Sequence, residues 1–304
     1  MSYTANDLMA AVKRYSAVPT SQITFQNTDF YALADDSIRS KLVPLVLKHC
    51  EEFYVYPYNL SINSGQSAYA IPQRAINMIL RSVQIISASN SDARANLERL
   101  NIEDLYAGTS GNARFLTQKS GFYIEGNNIC LYPTPVPTTD TLRLNIFIRP
   151  GQLVDTSTCA QVQSVNLTAN TITCVSVPST YSTANTFDLV KAMPGFDYTA
   201  IDQSVTNITG NVITFTSALP TNISVNDWIC LANTSCVVQV PVELQPLLTQ
   251  YVVVRVLAAQ GDQKVKDAIE ELEKMESNAS LLLAPRVQGS VKRVTNSRGI
   301  NRWV

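Results

Sequence analysis

The sequence predicts an α+β protein in which helices at the two ends form one bundle and a large all-β region, a sandwich or small barrel, is inserted between them. Three observations carry this. In residues 241–280, Leu244, Leu247, Leu248, Tyr251 and Val252 recur at helical spacing, and then Val265, Ala268, Ile269, Leu272 and Met275 do the same. Residues 60–240 change period, to short β-branched and aromatic runs separated by Asn, Thr, Ser and Gly. Residues 5–50 are helical in period again, so the chain carries apolar faces at both ends that need partners. The expected divisions are N-terminal bundle helices at 1–58, a first β region with one short helix at 59–150 and an inserted β domain at 151–240. A C-terminal helical hairpin at 241–284 and a basic arm at 285–304 complete the chain.

The elements follow in order. Residues 5–15 read as a helix with Leu8, Met9 and Val12 on one face. Asn27 or Thr28 is expected to cap a longer helix to about Cys50, with a stripe of Tyr31, Ala34, Ile38, Leu42, Leu45 and Val46. Pro44 lies inside that stripe, so a kink or break is expected near Leu42. Residues 76–86 are a branched apolar strand, and residues 95–106, with Leu97, Leu100 and Leu105, are the short helix of this region. Residues 122–132 read as a hairpin around Gly126 and Asn127, and residues 142–148 alternate as a half-buried strand does. After Pro150 two units look alike: 162–165 with 170–173, and 205–208 with 211–215, each a hairpin. Many short strands at this spacing point to a sandwich or small barrel. Gly261 is expected to end the first C-terminal helix and Asp262 to cap the second.

Composition narrows the function. The formal charge is -1, so net charge names no partner. Its distribution says more: between Gly151 and Val240 the one basic residue is Lys191, against Asp155, Asp188, Asp197, Asp202 and Asp227. No apolar run is long enough for a membrane helix, and the first residues lack the pattern of an export signal. The cysteines, Cys50, Cys130, Cys159, Cys174, Cys230 and Cys236, are therefore expected to be reduced and mostly buried. None forms a Cys-x-x-Cys pair, which speaks against a zinc site or redox motif. Two Asn-x-Thr triplets, at Asn166 and Asn207, are chance matches in an Asn- and Thr-rich region.

Candidates for chemistry are few. His49 is the only histidine, so a multi-histidine metal site is excluded, and near a helix end it reads as a cap or packed surface residue. Asp35 with Asp36 and Glu51 with Glu52 are adjacent on helices, diverge in direction, and read as solvated faces. The glycines at 108 and 111 lack the lysine and spacing of a phosphate loop. Tyr54, Tyr56 and Tyr58 read as a strand with one buried face. No acid/base or nucleophile constellation stands out, so the chain is expected not to be an enzyme and to hold no catalytic, cofactor or metal residues.

The C-terminal arm is the strongest candidate for contact with another molecule. From Pro285 it holds no acid, and Arg286, Lys292, Arg293, Arg298 and Arg302 lead to Trp303. Arginines can form forked bonds to carboxylates, and a tryptophan can anchor such an interface. The order of motifs along the chain resembles the head-to-tail adaptor (neck, or connector) proteins of tailed bacteriophages. The runs that carry it are Leu-Val-Pro-Leu-Val at 42–46, Glu-Glu-Phe-Tyr-Val at 51–55, 65–72 and Arg74-Ala75. Next come 131–135, 142–144, Arg149-Pro150 and Leu153-Val154, and finally 240–244, 258–262 and Arg286-Val287. The resemblance implies a bundle of adaptor type in a ring, typically a dodecamer, between the portal and the tail. It implies that the arm reaches the portal, that DNA passes through the lumen, and that the far side meets a tail or second neck protein. A virion location follows, with the host cytoplasm before assembly. The other reading is a tail or fibre-attachment module whose β domain binds a virion protein or a glycan.

Overall fold

Thr4 opens the fold. Its hydroxyl accepts the Asp7 amide while the Asp7 carboxylate accepts the Thr4 amide, a reciprocal cap that satisfies the free donors of helix α1 (Ala5–Tyr15). The computed structural model describes residues 3–18, 25–89, 93–101, 120–135, 139–192 and 198–283. Helix α2 (Asn27–Ser37) starts from Gln26 rather than from a cap at Asn27 or Thr28, because the Asp29 carboxylate accepts the Gln26 amide at 2.8 Å. It runs through one π-helical turn, Ile38–Leu42, into α3 (Val43–His49). Pro44 cannot donate and its ring crowds the carbonyl four residues back. The chain widens just ahead of it, with the Val43 amide bonded to the Ile38 carbonyl, five residues back.

A tight turn at Glu51–Tyr54 leads into the strands. β1 (Val55–Ser61), β8 (Thr141–Ile148), β3 (Ala75–Ile86) and β4 (Arg94–Asn96) form an antiparallel sheet in that order. On β8, Leu142, Leu144, Ile146 and Ile148 are buried, the expected alternation. A second sheet has the order β2 (Ala68–Ala70), β7 (Asn128–Tyr132), β6 (Gly121–Glu125) and β5 (Glu98–Arg99), and β6–β7 is the hairpin around Gly126. The helix expected over 95–106 needs correction in its described part, which is β4 and β5. Ala95 pairs with Ile85, and Glu98 with Gly121. A Cβ on Gly121 would lie 2.8 Å from Leu100 Cγ and against the Glu98 carbonyl, so β5 rests on bare backbone. Cross-strand pairing with neighbours overrides the helical spacing of the leucines. Residues 102–106 lie outside the described residues.

β9 (Gln152–Leu153) and β16 (Thr234–Ser235) lie side by side as parallel partners. Between them a six-stranded barrel closes in the order β10 (Ala160–Asn166), β11 (Thr171–Cys174), β14 (Val212–Phe215), β13 (Tyr198–Thr209), β12 (Thr186–Val190) and β15 (Trp228–Leu231). The two look-alike hairpins are β10–β11 and β13–β14, and they join through Ile172 opposite Ile213. The interior is filled by side chains, among them Val162, Ile172, Phe187, Leu189, Ile213, Phe215 and Ile229, as six strands are too few to leave a channel.

Helix α4 (Gln245–Gln260) is buried nearly all round, Val253, Val256 and Leu257 adding to the expected stripe. It touches α1, α2 and α5 (Val265–Leu282), which accounts for burial on several sides. Gly261 ends it at φ 68, the left-handed cap glycine takes without strain. Asp262 does not cap α5. Lys264 holds that position, and the Asp262 carboxylate closes a turn by accepting the Lys264 amide at 2.9 Å. Ile269 of the expected α5 stripe is exposed, and Ala268 and Ala279 take the buried places.

Candidate functional site

Alternation along β12 determines what lies between the barrel and the rest. Phe187 and Leu189 point inward and are buried in the barrel core. Asp188 therefore points outward, yet it is 0% exposed. Arg74, just ahead of β3, covers it: Nη1 and Nη2 reach the two Asp188 oxygens at 2.8 and 2.7 Å. Nη1 also meets Asp202 at 3.3 Å, and the guanidinium carbon lies 5.1 Å from the Tyr198 ring centre. The amides of Asp202 and Asn233 each donate to Asp188 at 2.9 Å. Burial alone would lower the Arg74 pKa, but the hydrogen bond and charge of Asp188 more than offset this and hold the guanidinium charged. Burial pushes the Asp188 carboxyl up, opposed by Arg74 and the two amides.

A second knot lies beside the first. The Gln239 side-chain oxygen accepts the Gly151 amide at 2.7 Å and the Tyr198 hydroxyl at 3.1 Å. Tyr54, fully buried, donates to the Gln239 carbonyl at 3.3 Å. A cleft of about 510 Å³ opens next to both, with Arg39, Tyr58, Arg74, Arg149, Gln152 and Asp202 in its wall. Pro72 and Pro150 line it as well, so the motif runs at 65–75 and at 149–150, far apart in sequence, meet at one place.

The remaining candidates separate. Asp35 is not on a solvated face: it is buried and accepts the Leu153 amide at 3.0 Å, and burial raises its carboxyl to about 6. Asp36 is exposed, 3.6 Å from Arg255. Glu51 and Glu52 are exposed and both meet Arg81. His49 ends α3 with Nε2 buried and unbonded among the described residues, so it is neither a cap through that atom nor a free surface group. Tyr56 and Tyr58 are half-buried on the inner side of β1, the strand face the alternation predicts. Lys191 is held 3.0 Å from Asp227. Arg286, Lys292, Arg293, Arg298, Arg302 and Trp303, like the glycines at 108 and 111, lie outside the described residues.

One cluster has no sequence signature. Cys159, Cys230 and Cys236 come from three segments, all are buried, and their sulfurs lie within 4.8 Å of one another. Hydrogen bonds from Cys230 and Cys236 pull the Cys159 thiol well below the ordinary range, while burial pushes Cys230 and Cys236 up. Spacing could not reveal it, since barrel closure is what brings Cys159 to Cys230.

A family model described as SU10 adaptor protein matches residues 3–185, more than half of the chain. The chain belongs to the SU10 adaptor protein family, a phage adaptor family. In this adaptor the match takes in α1 to α3, both sheets and β9 to β11, and it stops just before β12. Arg74 and Arg149 are inside the match, whereas the partners of Arg74, Asp188, Tyr198 and Asp202, and the closing helices are beyond it. No curated protein matches the chain. No helix among the described residues is long and apolar enough to cross a membrane.

Proposed function

We propose that this adaptor is a structural protein of a tailed-phage virion that forms a ring between portal and tail, a dodecamer, with DNA passing through its lumen. The single observation that carries the reading is the family match over residues 3–185. The helices gathered on α4 are the adaptor-type bundle through which copies meet, and the barrel, held out on β9 and β16, is the surface offered to a tail or second neck protein. The arm at 285–304 docks on the portal, its arginines pairing with carboxylates and Trp303 anchoring them. The one basic side chain of residues 151–240 is tied to Asp227, which fits a barrel that does not grip phosphates.

A chain ending at Leu283 tests the arm. The full chain should be monomeric alone and form rings with portal. The shortened chain should keep its melting temperature yet fail to assemble on portal-bearing heads, and Arg298→Glu combined with Trp303→Ala should reproduce that failure. Normal joining of heads to tails by the shortened chain would remove the arm from the mechanism. A stable trimer of the full chain alone would favour the tail or fibre-attachment module, with the barrel binding a virion protein or a glycan.

A further inference from the structure

Cys159, Cys230 and Cys236 converge where the barrel meets the helices. Cys159 follows the turn that leads into β10, Cys230 lies on β15 opposite Asp188, and Cys236 follows β16. The Cys236 carbonyl accepts the Ala5 amide of α1 at 2.8 Å. The cluster therefore touches the barrel, the segment that leaves it after β16, and the first helix at once. The other thiols, Cys50, Cys130 and Cys174, are not part of it.

We propose that these three cysteines form a binding site for a thiophilic d10 cation, zinc(II) in the first place, that staples the barrel to the helical part. The sulfurs already lie within 4.8 Å of one another and come from three segments. Thiolates suit soft cations, and a divalent ion leaves the smallest residual charge on three of them. Binding is an acid–base step without electron transfer. Three metal–sulfur bonds form, the three thiol protons pass to solvent, and one water or other light donor completes a tetrahedral shell.

The test uses the full chain, reduced, stripped with chelator and titrated with cadmium(II) or zinc(II) alone. Cadmium should produce an ultraviolet sulfur-to-metal band that saturates at one ion per chain. Zinc absorption fine structure should fit three sulfurs at about 2.3 Å. At a hundredfold excess over Kd, the melting temperature should rise by roughly 5 °C. Cys159→Ser should lose the band while Cys174→Ser keeps it. Should the Ser variants fail to fold, the sulfur count on the unaltered chain decides alone. No band, fewer than three sulfurs, or a chain mass two hydrogens light from a disulfide within the cluster would overturn the site.

Discussion

Asp35 shows how a single residue can be legible as a type and illegible as a role. Beside Asp36 on a helix it reads as surface, and nothing in its own element says otherwise. Its burial comes from Leu153, more than a hundred positions away, whose amide it accepts. The consequence is a pH dependence whose sign follows from the direction of the shift. In the unfolded chain the carboxyl titrates near about 3.9, and in the fold burial raises it to about 6. Between these values the folded state holds the proton more tightly. The contribution of Asp35 to stability is therefore fully present below about 4 and is lost as pH rises through about 6. Asp35→Asn keeps an acceptor for the Leu153 amide and cannot ionise. Urea unfolding at pH 4 and pH 7 should show the variant gaining on the parent as pH rises. An offset that is the same at both values would mean that folding does not shift the Asp35 carboxyl. The three-cysteine cluster was hidden for the same kind of reason: its partners meet through barrel closure, which no local spacing encodes.

At the scale of elements, periodicity was a good guide wherever an element buries its own stripe. α1, the 27–49 helix with its disturbance before Pro44, β8 and the two look-alike hairpins all follow this pattern. It failed where neighbours decide. Leu97 and Leu100, beside β4 and β5, stand at a helical interval, but the edges of two sheets capture this segment. α4 reads as one-sided, yet three helices surround it. The Arg74–Asp188 pair joins elements in the same hidden way and is open to measurement. Arg74→Ala strands a carboxylate of 0% exposure, and loss of one partner from such a pair costs about 3–5 kcal/mol. Arg74→Met keeps apolar contact with Tyr198 but strands the same charge, so it too should destabilise. Asp188→Asn retains an acceptor for the amides of Asp202 and Asn233 and removes the charge. A double-mutant cycle by denaturant unfolding should then find Arg74→Met with Asp188→Asn less costly than the sum of the single changes. Additive costs would show that the two side chains act independently.

The whole molecule raises the question of whether the barrel is an insertion in a body that stands without it. Helix, strand, helix order in the sequence argued for this, and β9 and β16 supply the geometry: residues 152 and 153, ahead of the barrel, pair with 234 and 235, after it, so the two ends of the insertion meet at one place. Because the two strands are parallel, the linker must run back along the pair as well as cross it, so a Gly-Ser linker of about a dozen residues is needed to carry the chain from Val154 to Thr234. The barrel also has its own core, separate from the one shared by the helices and sheets. Its lower end is nevertheless committed to the body, since Cys159, Val190, Tyr198, Ile201 and Cys230 belong to the shared core. Deletion removes those side chains and leaves Arg74 without Asp188. Joining residue 154 to residue 234 should therefore be tested together with Arg74→Met, which takes away the stranded charge. That shortened chain should stay soluble, keep the far-ultraviolet helical signal of α1 to α5 and unfold cooperatively at a lower temperature than the parent. If it aggregates even with Arg74→Met while the parent is soluble, the barrel is a structural half of one body, and the helices depend on it to fold.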